Sequence, residues 1–168
     1  MPEHRGSVWA DFGAGEGTFT RALIKLLGPL SRIYAVDRDA TAIARIDRRP
    51  SALGGKVIPV VADLARPFDL PELGEDLLDG ALFANTLHFI RDPVTVLTRL
   101  VSLVKPGGRI VFVEYDRRAA SPWVPYPISS ARLPALAASA GLTAPTITTT
   151  RRSEYGGELY VAACDVVG

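Results

Sequence analysis

Residues 7–27, SVWADFGAGEGTFTRALIKLL, constrain the fold more than any other stretch, because a short apolar run leads into alternate glycines and then into a helical pattern. Val8, Trp9, Ala10 and Phe12 form a brief run rich in strand formers, with Asp11 near its end. A run that short, closed by glycine, predicts a strand buried on both faces. Beyond the turn, Phe19, Ala22, Leu23, Leu26 and Leu27 recur at helical spacing, and Gly28-Pro29 stops the helix. Glycine suits such a turn because the backbone bends through conformations closed to other residues, and because a ligand can reach the main chain with no Cβ in the way.

The glycine spacing narrows the ligand. Gly13, Gly15 and Gly17 give GxGxG, whereas a dinucleotide fingerprint places its third glycine at the position held here by Thr18. No Gly-Lys-Ser/Thr follows, so a polyphosphate would lack its lysine and its metal-binding hydroxyl. Taken alone, the turn is also compatible with a strand-to-helix connection that binds nothing.

Residues 32–36 predict a second strand ending at Asp37, where a carboxylate can accept hydrogen bonds from both hydroxyls of a ribose held over the turn. The competing use is capping of the following helix, residues 40–48, with Asp39 able to take that part. Residues 56–62 predict a third strand, again ending in an acid, Asp63, and the three acids Asp11, Asp37 and Asp63 are expected on one carboxyl rim. Residues 64–78 read as a loop. Residues 78–89 form a fourth strand and its exit, with Asn85 and His88 just past the apolar run.

Asp92-Pro93 reads as a helix start, with Val94, Leu97, Val101 and Val104 as its buried stripe, and residues 105–108 as its end. Residues 109–115 make a fifth strand. Residues 116–128 carry three prolines with Trp123 and Tyr126 and predict no regular element. A helix over 130–141 follows, then strand-like runs over 143–150 and 157–166, close enough in sequence to be antiparallel. Alternating strands and helices predict an α/β fold, a doubly wound and mostly parallel sheet with helices on both faces, closed by a hairpin.

Composition sets the outer bounds. At 168 residues and 18.0 kDa the chain fits a single domain, residues 1–168. Hydrophobic content of 48% against 22% charged residues is ordinary globular composition, and no run approaches the roughly 20 apolar residues that span a bilayer. No membrane partner is expected. No signal peptide is visible at the N-terminus and the single Cys164 excludes an internal disulfide, so the expected location is cytoplasmic. A net charge of +1 without a long basic run does not favour nucleic acid. No metal-ligating pattern occurs.

Taken in order, ADFGAGEG, the acid of AVDRD, VVADL, ANTLHF, LVKPGGRIVFVEY and the closing hairpin resemble the class I S-adenosylmethionine-dependent methyltransferases over essentially the whole chain. The resemblance implies a Rossmann-like, seven-stranded sheet of order 3-2-1-4-5-7-6 with only the last strand reversed. It implies S-adenosylmethionine as cofactor, with Asp11, Gly13, Ala14, Gly15 and Gly17 at its methionine part, Asp37 at the ribose hydroxyls, Asp63 and Leu64 at the adenine, Asn85 at the amino acid end, and Arg38 as a further cofactor-binding residue. No Asn/Asp-Pro-Pro-Tyr/Phe motif is present, and Cys164 stands in the wrong place for a cytosine nucleophile. The helices that often precede the first strand and lid the pocket are expected to be absent, which leaves a homo-oligomer or a partner chain to supply a lid.

The expected function is methyl transfer to a small-molecule acceptor, driven by positioning. The catalytic residue is unassigned, with His88, Glu114 and Tyr115 as candidates for a base. Trp123 and Tyr126 are candidates to wall an acceptor pocket, and Arg118 and Arg152, with Arg117 and Arg151, to orient an anionic acceptor. The alternatives are a non-catalytic or regulatory binding module of the same fold that needs a partner chain, and a nicotinamide dehydrogenase, which would share Asp37 but not the glycine spacing or Asp63.

Overall fold

The computed structural model describes residues 6–47, 54–116, 119–154 and 156–168. The elements run β1 (Val8–Phe12), α1 (Thr18–Leu27), β2 (Arg32–Asp37), α2 (Ala40–Asp47), β3 (Lys56–Val61), β4 (Leu78–Ala84), α3 (Pro93–Val101), β5 (Val104–Asp116), α4 (Leu133–Ser139), β6 (Thr146–Arg152) and β7 (Glu158–Asp165). The strands form one seven-stranded sheet in the order β3-β2-β1-β4-β5-β7-β6, the order that the resemblance implied. β1, β2 and β3 pair in parallel, and β7 runs antiparallel to both β5 and β6. Among the described residues no helix is long and apolar enough to cross a membrane.

By its contacts the chain divides into two compact units, Met1–Asp79 and Gly80–Gly168. In the first, the parallel register sets Phe12 beside Val36 and Asp37 beside Val61, so the carboxyl ends of β1, β2 and β3 lie next to one another. Ala14, Ala35, Ile43 and Ile46 form a buried cluster under the glycine turn. The buried Tyr34 donates its hydroxyl to the Pro71 carbonyl at 2.6 Å and so ties down the long connection to β4.

The face that α1 buries differs from expectation. Thr20, Leu23 and Ile24 point inward, while Leu26 is 82% exposed. Six apolar residues are spread around this helix, so periodicity allows two stripes; the Thr20 hydroxyl, which donates to Asp11 Oδ2 at 2.7 Å, selects between them.

In the second unit, the stripe of α3 is Pro93, Val96, Leu97, Leu100 and Val101, and Val94 is exposed. Asp92 starts this helix by accepting from the Thr95 N–H, and it ends at Val101, so Val104 is buried in β5 and not in the helix. Residues 105–108 are no turn either: Gly107 N–H donates to the Val166 carbonyl and Val166 N–H to that of Gly108, both at 2.9 Å, which extends the ladder toward α3. β4 is shorter than the apolar run, giving way after Ala84 to a single 3₁₀ turn over Leu87–Phe89. α4 keeps the expected buried residues Leu133, Leu136, Ala137 and Ala140 over a shorter span. Phe83 and Phe112, both fully buried, stack with centroids 5.6 Å apart.

Candidate functional site

In the first unit the site begins where β1 enters the glycine turn. Asp11 is 1% exposed; its Oδ2 accepts from Thr20, while its Oδ1 is buried with no hydrogen-bond partner. Burial pushes its carboxyl up to about 6, the Thr20 hydrogen bond acts in the opposite sense, and the charge of Asp37 adds to the rise. A carboxylate with an unanswered buried oxygen costs free energy unless something donates to it, and a cationic or amine donor answers it best.

Four N–H groups of the turn are bonded within the protein. The Gly13 and Ala14 N–H groups both donate to the Val36 carbonyl, at 2.8 and 3.0 Å, Gly17 N–H donates to the Ala14 carbonyl, and Gly15 N–H donates to Asp37 Oδ2 at 2.9 Å. These four donors are therefore not offered to a phosphate, whereas the geometry still allows close approach. Gly15 has φ +53 and a Cβ there would meet nothing within 4 Å, so it faces open space. Gly17, at φ +79, is glycine for another reason: a Cβ would come within 2.9 Å of the Ile46 side chain.

Asp37 accepts from Gly15 N–H through Oδ2 and from Asp39 N–H through Oδ1, and each oxygen keeps a lone pair for a ligand hydroxyl. Asp39 caps α2 by accepting from Thr41 and Ala42. Ala14 is buried and Arg38 exposed. Asp63 is exposed, accepts from Ala65 N–H at 2.9 Å, and lies 3.9 Å from Arg66. Leu64 beside it is buried. Sequence reasoning missed Thr20, whose only signal is a hydroxyl one turn into an otherwise apolar helix.

In the second unit, Asn85 follows β4 in a left-handed conformation, φ 54, and its Oδ1 is buried without a partner. His88 is 2% exposed, with Nδ1 2.6 Å from Glu114 Oε2 and its ring against Phe89 and Tyr115. Glu114, fully buried, also accepts from Thr86 and Leu87 N–H, at 3.2 and 2.8 Å. The insert after β5 is held by Tyr126 N–H donating to the His88 carbonyl and by the Tyr160 hydroxyl donating to that of Ile128, with Val124 and Ile128 buried. Trp123 is 77% exposed, and Tyr126 is exposed as well. Arg151 and Arg152 are exposed on β6, with Arg152 opposite Glu158 in the ladder. Arg117 and Arg118 lie outside the described residues.

A family profile described as a methyltransferase domain matches residues 10–110, from the β1 acid through the turn to β5. The chain belongs to the methyltransferase domain family. This meets the recognition made from the residues: the class I S-adenosylmethionine-dependent methyltransferases, an enzyme class whose cofactor is S-adenosylmethionine. The fold agrees. The arsenic(III) S-adenosylmethionine methyltransferase of Chlamydomonas reinhardtii aligns over 98% of this chain and 64% of its own, at 17% identity and a TM-score of 0.76. The N-methyltransferase NodS of Bradyrhizobium japonicum, in complex with S-adenosylhomocysteine, aligns over 96% and 78% at 20% identity and a TM-score of 0.75. The 1,6-didemethyltoxoflavin-N1-methyltransferase of Burkholderia thailandensis, with bound 1,6-didemethyltoxoflavin and S-adenosylhomocysteine, aligns over 98% and 72% at 22% identity and a TM-score of 0.71. In sequence, a 37.1 kDa protein in transposon TN4556 of Streptomyces fradiae is 29% identical over 111 residues. This methyltransferase-family chain spans 31% of that relative's length and 64% of the arsenic methyltransferase's.

Proposed function

We propose that the chain, working as one methyltransferase-like domain over residues 1–168, transfers a methyl group from S-adenosylmethionine to a small-molecule acceptor. The observation that carries this reading is the glycine turn: four of its N–H donors are spent internally, it faces open space at Gly15, and the unpaired buried Oδ1 of Asp11 stands at its entry. Those four N–H groups are not offered to a pyrophosphate, and the buried Asp11 oxygen suits a ligand that brings its own donors.

When bound, S-adenosylmethionine supplies a methyl group already activated on a sulfonium. Asp11 would accept from the amino group of the ligand's methionine part, with Gly13 to Gly17 allowing its close approach. Asp37 would accept from the ribose hydroxyls, Asp63 and Leu64 would adjoin the adenine, and Trp123 and Tyr126 would meet the acceptor. Holding acceptor and donor in line contributes about 7 to 11 kcal/mol toward the barrier, more than a general base, which typically adds 10²- to 10⁴-fold in rate. Positioning is therefore the main task of the protein.

Calorimetric titration tests the reading. S-adenosylmethionine and S-adenosylhomocysteine bind and NAD does not; binding of NAD, or of neither adenosyl ligand, would overturn it. Turnover of any acceptor, read as S-adenosylhomocysteine formed, separates an enzyme from a binding module.

A further inference from the structure

A side-chain hydrogen bond ties α1 to β1 across the glycine turn: the Thr20 hydroxyl donates to Asp11 Oδ2 at 2.7 Å. A threonine inside a helix commonly turns its hydroxyl back to the carbonyl one turn earlier. Thr20 gives its proton to the acid instead, and both residues are buried at 1% exposure. The bond occupies one carboxylate oxygen and fixes the group's orientation, while Oδ1 stays buried with no partner. A buried charged oxygen without a donor is costly, and a ligand that carries a cationic donor removes that cost. Thr20 also bears on the charge itself. Burial, and after it the charge of Asp37, raise the Asp11 carboxyl to about 6, and the Thr20 hydroxyl is the strongest influence in the opposite sense. The groups that face Asp11 are this hydroxyl from α1 and the Asp37 carboxylate from β2. Elsewhere on α1, Arg21 donates to the Glu16 carbonyl and Lys25 is exposed; Arg32 of β2 stands opposite Val8 at the far end of β1, and Asp79 of β4 accepts from Val8 N–H there. All of these residues lie within the first unit.

We propose that Thr20 is a positioning residue for ligand binding at the glycine turn: its hydroxyl holds Asp11 by Oδ2, so that the carboxylate keeps one orientation with Oδ1 left for the ligand's amino group. The same bond favours the ionised carboxylate that such a group requires. Thr20 acts through Asp11 and touches no ligand itself. The identity of the ligand rests on the functional reading above.

Two variants of the full chain test it: Thr20→Val keeps the side chain's shape and removes the hydroxyl, and Thr20→Ser keeps the hydroxyl and removes the methyl. The Asp11 carboxyl is titrated by NMR in the ligand-free protein, and affinity for S-adenosylhomocysteine is read by calorimetry across the same pH range. Wild type should titrate at about 6, with affinity rising as the carboxyl ionises and levelling above that pH. In Thr20→Val both midpoints move up by about one unit, which weakens binding about fivefold or more at about pH 6, with the gap narrowing as pH rises. Thr20→Ser follows wild type in both. A threonine that only packs α1 would lower stability to urea and leave both midpoints in place, and that result overturns the proposal. So does Thr20→Ser behaving as Thr20→Val, or a shifted Asp11 titration with unchanged affinity. Should Thr20→Val fail to fold, Thr20→Ala takes its place with the same criteria. Wild-type protein that does not bind S-adenosylhomocysteine overturns the functional reading and this proposal with it, whereas wild-type binding with unmoved midpoints in the variant overturns this proposal alone.

Discussion

Replacing Asp11 by Asn separates the cost of the site from its use. The folded protein raises this carboxyl from its ordinary 3.8 to about 6, chiefly by burial. A group whose folded value lies above its unfolded value favours the folded state fully below the unfolded value and loses that contribution as pH rises. For Asp11 the loss runs from about pH 4 to about pH 6, and at 1.36 kcal/mol per unit the shift corresponds to about 3 kcal/mol. Asn does not titrate, and its carbonyl can keep the Thr20 hydrogen bond. Urea unfolding followed by circular dichroism should therefore find the variant more stable than wild type by up to about 3 kcal/mol at pH 7.5, with the gap closing toward pH 4. Affinity for S-adenosylmethionine should move the other way, by roughly tenfold to a hundredfold, since a neutral amide replaces a charged acceptor worth about 1.5 to 3 kcal/mol. A stability gap that is flat with pH, or a variant less stable at pH 7.5, would refute the account of Asp11 as a buried charge held in reserve for a cationic ligand.

Asp37→Ala removes the acceptor of Gly15 N–H and the proposed ribose contact together, so calorimetry should show adenosyl-ligand affinity falling by roughly tenfold or more with the fold retained by circular dichroism. Trp123→Ala, at a residue 77% exposed, should leave unfolding free energy within about 0.5 kcal/mol of wild type while lowering methyl transfer more than cofactor binding; an equal loss of both would exclude it from the acceptor pocket. Phe83→Ala deletes a fully buried ring stacked on Phe112 and should cost about 3 to 5 kcal/mol by urea unfolding. Burial, with the nearby Asp165 charge adding, pushes the Cys164 thiol up to about 12, so at pH 8 a disulfide reagent should label it in urea and not in the folded protein.

Much of this protein was written locally. The apolar runs, the glycine turn and the acids at the strand ends were legible because each depends on neighbours in sequence: a two-residue or 3.6-residue period, a backbone that only glycine tolerates, a cap two or three residues from its donor. The alternation of those elements determined an α/β fold, and the order of short motifs determined the family. What sequence alone left open was every choice made between distant groups. Six apolar residues around α1 allowed two buried faces, and Asp11 decided between them through Thr20, nine positions away. The residues after α3 looked like a turn until Gly107 and Gly108 found Val166 across the ladder. Asp37 is the last residue of β2 and accepts from Gly15 N–H, whereas Asp63 stands two residues past the end of β3 and accepts from Ala65 N–H. Glu114 is one acid in a strand by its sequence; two backbone N–H donors and the His88 ring, 26 to 28 residues earlier, join it to the turn after β4. Local patterns carry propensity and period, whereas the pairing of a buried polar group depends on which partner the folded chain brings within about 3 Å, and only the tertiary structure determines that.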